Sequence, residues 1–105
     1  MESIIITQSL KQTGDRAYQV KMTVDKGDDV EVIEFDYYDT NSIFPLYNSL
    51  INVIRSIGDA HIKLETCNPT FAREVNGSPN KNSRLLDILQ ETKKVQGVTI
   101  DAYTK

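Results

Sequence analysis

At 105 residues the chain has room for one domain, residues 1–105, around a single core, and its 39% apolar and 26% charged residues fit an ordinary globular protein. No apolar run approaches the roughly 18 residues of a membrane span, and no leader pattern opens the chain. One cysteine, Cys67, and one histidine, His61, exclude an internal disulfide and a four-ligand zinc site, and they fit a cytoplasmic setting. The net charge of −3 argues against bulk phosphate binding.

The run Ile4-Ile5-Ile6 is β-branched and suits a strand buried on both faces. After a turn at Thr13-Gly14-Asp15, Tyr18, Val20, Met22 and Val24 alternate with Gln19, Lys21 and Thr23, the period of a second strand. Asp25-Lys26-Gly27-Asp28 is a hairpin signal, and Val30 to Tyr38 reads as a third strand of an antiparallel meander. The period then changes. Ile43, Leu46, Tyr47, Leu50, Ile51, Ile54 and Ile57 recur at three and four, the stripe of a helix capped by Ser42, with Pro45 in its first turn and Gly58 at its end.

Ile62, Leu64 and Thr66 alternate with Lys63, Glu65 and Cys67 in a fourth strand. It runs straight into a second helix. Asn68 caps that helix, Pro69 takes its first position, Phe71, Ala72 and Val75 form its stripe, and Gly77 stops it. Ser78-Pro79-Asn80-Lys81-Asn82 is a loop by composition. Ser83 caps a third helix that turns Leu85, Leu86, Ile88, Leu89 and Val95 inward and ends at Gly97, and Val98 to Tyr103 forms the last strand. The order β-β-β-α-β-α-α-β gives an α/β chain, in α+β style, with a mixed five-stranded sheet. The meander lies on one side, and two parallel strands are added through helical crossovers.

That order, with the helix start Asp39-Thr40-Asn41-Ser42 and the closing Val75-Asn76-Gly77, resembles the ribonuclease H-like fold, and most of all its short bacterial and retroelement-type domains. The resemblance implies four carboxylates around two divalent metal ions, which hold the scissile phosphate of an RNA–DNA hybrid and activate water. It places the first in a Thr-Asp-Gly-Ser-like turn of the first strand, where this chain reads Thr7-Gln8-Ser9-Leu10 and supplies Gln8. The second, counted from Thr40-Asn41, falls on Pro45, and the third, ten residues before Gly77, on Cys67. The fourth follows the last strand, and the sequence stops at Lys105 before reaching it. Neutral amide, proline and thiol do not hold two hard cations, so the chain is expected to have no catalytic residues, no metal and no cofactor.

Other groups offer weaker chemistry. Asp36, Asp39 and Glu65 would make a displaced carboxylate set, but they read first as edge and loop acids in water. Cys67 reads as a small buried thiol because His61 lies six residues upstream, out of reach as its base. Tyr18, Tyr37, Tyr38, Tyr47 and Tyr103 fall at packing positions before they read as base-stacking groups.

Charge is uneven. Eight acids lie between Asp15 and Asp39, against Arg16, Lys21 and Lys26. The expected function is therefore a non-catalytic module that binds a protein partner through this acidic meander, at Asp28, Asp29, Glu31 and Glu34. An accessory or inhibitory role of phage or mobile-element origin would suit it. The alternative is a non-cleaving nucleic-acid-binding domain that meets hybrid or duplex backbones through Arg73, Lys81, Arg84, Lys93 and Lys94. A residual metal-dependent nuclease is the remote third. The chain is expected to be a monomer or a weak homodimer, with the last strand as its less protected edge.

Overall fold

The alternation that starts at Ile4 extends much further than the three isoleucines. In the computed structural model, which describes residues 2–77 and 83–104, β1 runs over Glu2–Gly14. It is followed by β2 (Ala17–Asp25), β3 (Val30–Tyr37), α1 (Phe44–Ile54), β4 (Ala60–Thr66), α2 (Pro69–Val75), α3 (Ser83–Gln96) and β5 (Val98–Thr104). The sheet order is β3-β2-β1-β4-β5. β1 and β3 lie antiparallel to β2, while β4 is parallel to β1 and to β5. The expected mixed five-stranded sheet is present. The loop expected at residues 78–82 lies outside the described residues, as does the Ser83 side chain.

One face of the sheet carries the core. Ile4 and Ile6 of β1, Val20, Met22 and Val24 of β2, Ile62 and Leu64 of β4 and Ala102 of β5 are buried beneath the helices. α1 packs on β2 and α3, and α2 lies along β4 and β5. Ile5, expected inside, is 48% exposed. A helix layer covers only the even parity of β1, and among the described residues no helix covers the other face. Tyr47 of α1 and Phe71 of α2 meet edge to face, with centroids 4.7 Å apart and both rings fully buried.

Two helices depart from the sequence reading. The N-cap position of α1 is Ile43 rather than Ser42 and makes no side-chain cap; Asn41, two residues earlier, instead accepts at Oδ1 from the amides of Ile43 (3.1 Å) and Phe44 (2.9 Å) at the helix entry. The helix ends at Ile54, and Ile57 is buried from the turn beyond it rather than from the helical stripe, so Gly58 is not its stop. On α3 the expected stripe is out of phase. Leu89 is buried, Leu85 and Leu86 are half-buried, but Ile88 and Val95 (73%) are exposed. The inward seam runs through Leu85, Leu89 and Thr92 to Gln96, whose Nε2 donates to the Arg55 carbonyl at 2.5 Å. Polar members of that seam hid it from an apolar count.

The second helix forms as expected. Asn68 Oδ1 accepts from the Phe71 amide at 3.0 Å, and Gly77 takes φ +108°. Asn76 does more than close the helix. Its Nδ2 donates to the Ala102 carbonyl and its Oδ1 accepts from the Ala102 amide, both at 2.8 Å. The side chain thus imitates a neighbouring strand at Ala102 of β5, the edge expected to be the less protected.

Candidate functional site

The parity that buries Ile4 and Ile6 also buries Gln8, which is 2% exposed. Both donors of its amide and one acceptor site are used. The Leu46 carbonyl can only accept, so it fixes Nε2 on its side at 3.0 Å, and the second Nε2 hydrogen reaches the Ser49 Oγ at 3.2 Å. Oε1 accepts from the Thr66 hydroxyl at 2.7 Å. Ser49 in turn donates to the Leu46 carbonyl at 3.3 Å. A strand, a helix and a second strand are therefore tied by one buried, satisfied network.

Beside it, where β4 and β5 end while β1 continues, lies a groove of about 460 Å³. Gln8 and Thr66 of that network reach its lining together with Thr7, Ser9, Glu65 and Cys67, and Glu65 is the carboxylate among them. Cys67, expected buried, is exposed, because the alternation that turns Thr66 inward turns its neighbour out. Pro45 is buried in the first turn of α1 and offers no donor or acceptor side chain.

The remaining candidates do not converge. His61 Nδ1 lies 2.7 Å from the Thr99 Oγ1, six residues along β4 from Cys67, or roughly 20 Å of strand. Asp36 accepts from Gln19 Nε2 at 3.2 Å on β3, with two strands between it and Glu65, a lateral gap of roughly 14 Å. Asp39 pairs with Arg16 at 3.2 Å in the exposed turn after β3. Asp36, Asp39 and Glu65, read first as edge and loop acids, do not come together as a displaced carboxylate set, and among the described residues no group of three or more His, Cys, Asp or Glu could hold a metal ion.

The basic residues are equally dispersed. Arg73 on α2 is exposed and its Nη2 lies 3.4 Å from the Thr70 hydroxyl. Arg84 and Lys94 are exposed on α3, whereas Lys93 is half-buried, and burial lowers its pKa. Lys93 sits about 180° around the helix from Arg84. Lys81 lies outside the described residues.

The acids gather better. Asp28 and Asp29 sit exposed at the tip of the β2–β3 hairpin, with Glu31 and Glu34 exposed along β3. Asp25 Oδ1 accepts from the Gly27 amide at 2.8 Å, and Gly27 takes φ +95°, so the tip is locally fixed.

Comparison with solved structures gives the architecture its name. The chain superposes on LC11-RNase H1, isolated from compost by a metagenomic approach, with a TM-score of 0.79 and 12% identity, over 100% of this chain and 86% of that one. The fold is ribonuclease H-like. A second structure of LC11-RNase H1, in complex with an RNA/DNA hybrid, matches with a TM-score of 0.75 and 10% identity over 97% of this chain and 86% of that one. RNase H1 from the halophilic archaeon Halobacterium salinarum matches at 0.70 and 13%, over 98% and 86%. No protein-family model and no curated sequence matches the chain.

The pair of divalent ions that the fold implies does not fit the donors present. Gln8 offers a neutral amide already committed to three partners, Pro45 offers nothing and Cys67 a thiol. Hard Mg²⁺ needs clustered oxygens, mostly carboxylate and water.

Sequence reading missed two groups. Glu74, on the buried stripe of α2 one turn from Phe71, is 4% exposed and accepts from the Tyr47 hydroxyl at 2.5 Å. Burial raises the Tyr47 pKa strongly, and the Glu74 hydrogen bond and charge add to it. Tyr37 donates to Asn48 Oδ1 at 2.9 Å, and burial pushes its phenol up to about 12 against a smaller lowering by the Ser49 hydroxyl. Tyr38 and Tyr103, expected to pack, are exposed.

Proposed function

We propose that this chain is a non-cleaving ribonuclease H-like module that works by holding a protein partner against its acidic β2–β3 hairpin. One observation carries the reading: at the position where a first metal-binding carboxylate is expected, Gln8 is buried and its amide is spent on Leu46, Ser49 and Thr66. Both of its donor hydrogens are taken, and its neutral oxygen, already accepting from Thr66, brings no charge to a cation. The concentrated charge is elsewhere, at Asp28, Asp29, Glu31 and Glu34, and it draws in a basic surface by long-range attraction.

The test is charge reversal. Replacing those four residues with lysine is expected to abolish capture of the partner from native lysate at low salt. Capture that survives the change would sink the acidic surface as the binding site. A second reading, hybrid or duplex binding without cleavage, is favoured by the likeness to a structure that holds an RNA/DNA hybrid. Filter binding separates the two, since a phosphate-binding chain retains labelled hybrid at low salt and releases it as salt rises.

A further inference from the structure

The two edges of the sheet are finished differently. At β5 the Asn76 amide occupies the outer N–H and C=O of Ala102. At β3, which ends the sheet on the other side, no described strand pairs with the outer edge.

The hairpin shows which backbone groups are free there. The Lys26 amide donates to the Asp29 carbonyl at 2.9 Å, which makes these two residues a hydrogen-bonded pair. Such pairs alternate along an antiparallel ladder, and the register is unbroken from Asp25↔Val30 to Tyr18↔Tyr37. Glu31, Ile33, Phe35 and Tyr37 therefore turn their N–H and C=O toward β2. Val30, Val32, Glu34 and Asp36 turn theirs outward, four donors and four acceptors without a strand to meet.

We propose that this edge takes up an extended polypeptide segment with lysine or arginine at alternate positions, added as a sixth strand. The inference rests on the protein-binding reading above and names its surface and partner chemistry. The charges select the segment. Between residues 21 and 37 there are six carboxylates and two lysines. Glu34 and Asp36 stand on the uncovered face next to exposed Val32 (53%) and Val30 (58%), and cationic side chains opposite them complete cross-strand pairs. On the helix side Ile33, Phe35 and Tyr37 are half-buried, an apolar shelf for the alternate residues of the incoming strand. A second copy of this chain would bring the same acidic surplus and is repelled. Main-chain hydrogen bonds supply the affinity and the alternating side chains the selectivity.

The test uses a fluorescein-labelled peptide alternating lysine and valine, about eight residues long to match β3. Its fluorescence anisotropy is read against the full chain at low salt. We expect saturable binding, lost about tenfold or more when the peptide is N-methylated on one of its two sets of alternate residues. Loss with methylated lysines reports an antiparallel strand, and loss with methylated valines a parallel one. Val32→Pro removes only an outward N–H and is expected to weaken binding to the same extent while far-UV circular dichroism is unchanged. The methylated peptides decide the matter if that variant does not fold. Equal binding of both methylated peptides would overturn strand addition and leave a charge-only contact, with the acidic-hairpin reading intact. No binding by the unmodified peptide would overturn it as well. The lysate capture by the charge-reversed hairpin judges the underlying reading separately.

Discussion

The junction of β1, α1 and β4 and the hairpin of β2 and β3 treat polar groups in opposite ways. At the junction, Gln8, Ser49, Thr66 and the Leu46 carbonyl are buried and pair with one another. At the hairpin, carboxylates and one whole row of backbone groups face water. Satisfied groups stabilise a fold and have little left to offer a ligand; unsatisfied ones at a strand edge are a template for a partner. In this molecule the position where a metal-binding carboxylate was expected holds an amide bonded to its neighbours, and the meander is the surface with unused bonding capacity.

The largest expected effect sharpens the edge assignment. Ile33→Pro deletes an N–H that bonds to β2 and should cost about 3 kcal/mol or more, whereas Val32→Pro one residue away should cost less than about 1 kcal/mol. Thermal melts followed by circular dichroism would show a fall of roughly 15 °C for the first and little for the second. Equal falls would mean that the outward row is misassigned.

Next comes the junction. Gln8→Asp removes both Nε2 donors and places a carboxyl beside the Leu46 carbonyl, so a loss of about 2–3 kcal/mol is expected in urea unfolding. A variant as stable as the parent would show that the Gln8 network contributes little. Asn76→Ala is smaller, about 1–2 kcal/mol for two hydrogen bonds. It also frees Ala102 on the second edge, and sedimentation velocity should show more self-association than in the parent.

The smallest effect is at Tyr37. Its phenol keeps its proton to about 12 in the folded chain, against about 10 in the unfolded one. The folded state then binds more protons between those values, so stability present below pH 10 falls as pH rises toward 12. Tyr37→Phe should lose about 1 kcal/mol at neutral pH with the Asn48 bond and show a flatter alkaline decline. An unchanged alkaline limb would place its cause elsewhere.

Much of the fold was legible because local signals agreed. Asn68, Pro69 and Gly77 bound α2 as their chemistry requires, and period two marked the second and fourth strands. The errors have physical causes. Periodicity cannot tell whether a helix layer covers one face of a sheet or two, which is why Ile5 was misplaced. The α3 seam contains Thr92 and Gln96, so counting apolar residues found the wrong stripe. At the site, the alternation Ile4, Ile6, Gln8 already put Gln8 on the core face, but its partners come from residues some 40 and 60 positions away and only folding reveals them. The edge capped by Asn76 was illegible for the same reason: an amide that imitates a strand looks like any helix-ending asparagine.

The most direct measurement is incubation of the chain with a labelled RNA–DNA hybrid in Mn²⁺ or Mg²⁺. We expect no product above the metal-only background, because Gln8 brings a neutral amide held by Leu46, Ser49 and Thr66, and among the described residues only Glu65 supplies a carboxylate to the groove lining. Cleavage that disappears on Glu65→Gln would contradict this and show that the groove is a working metal site.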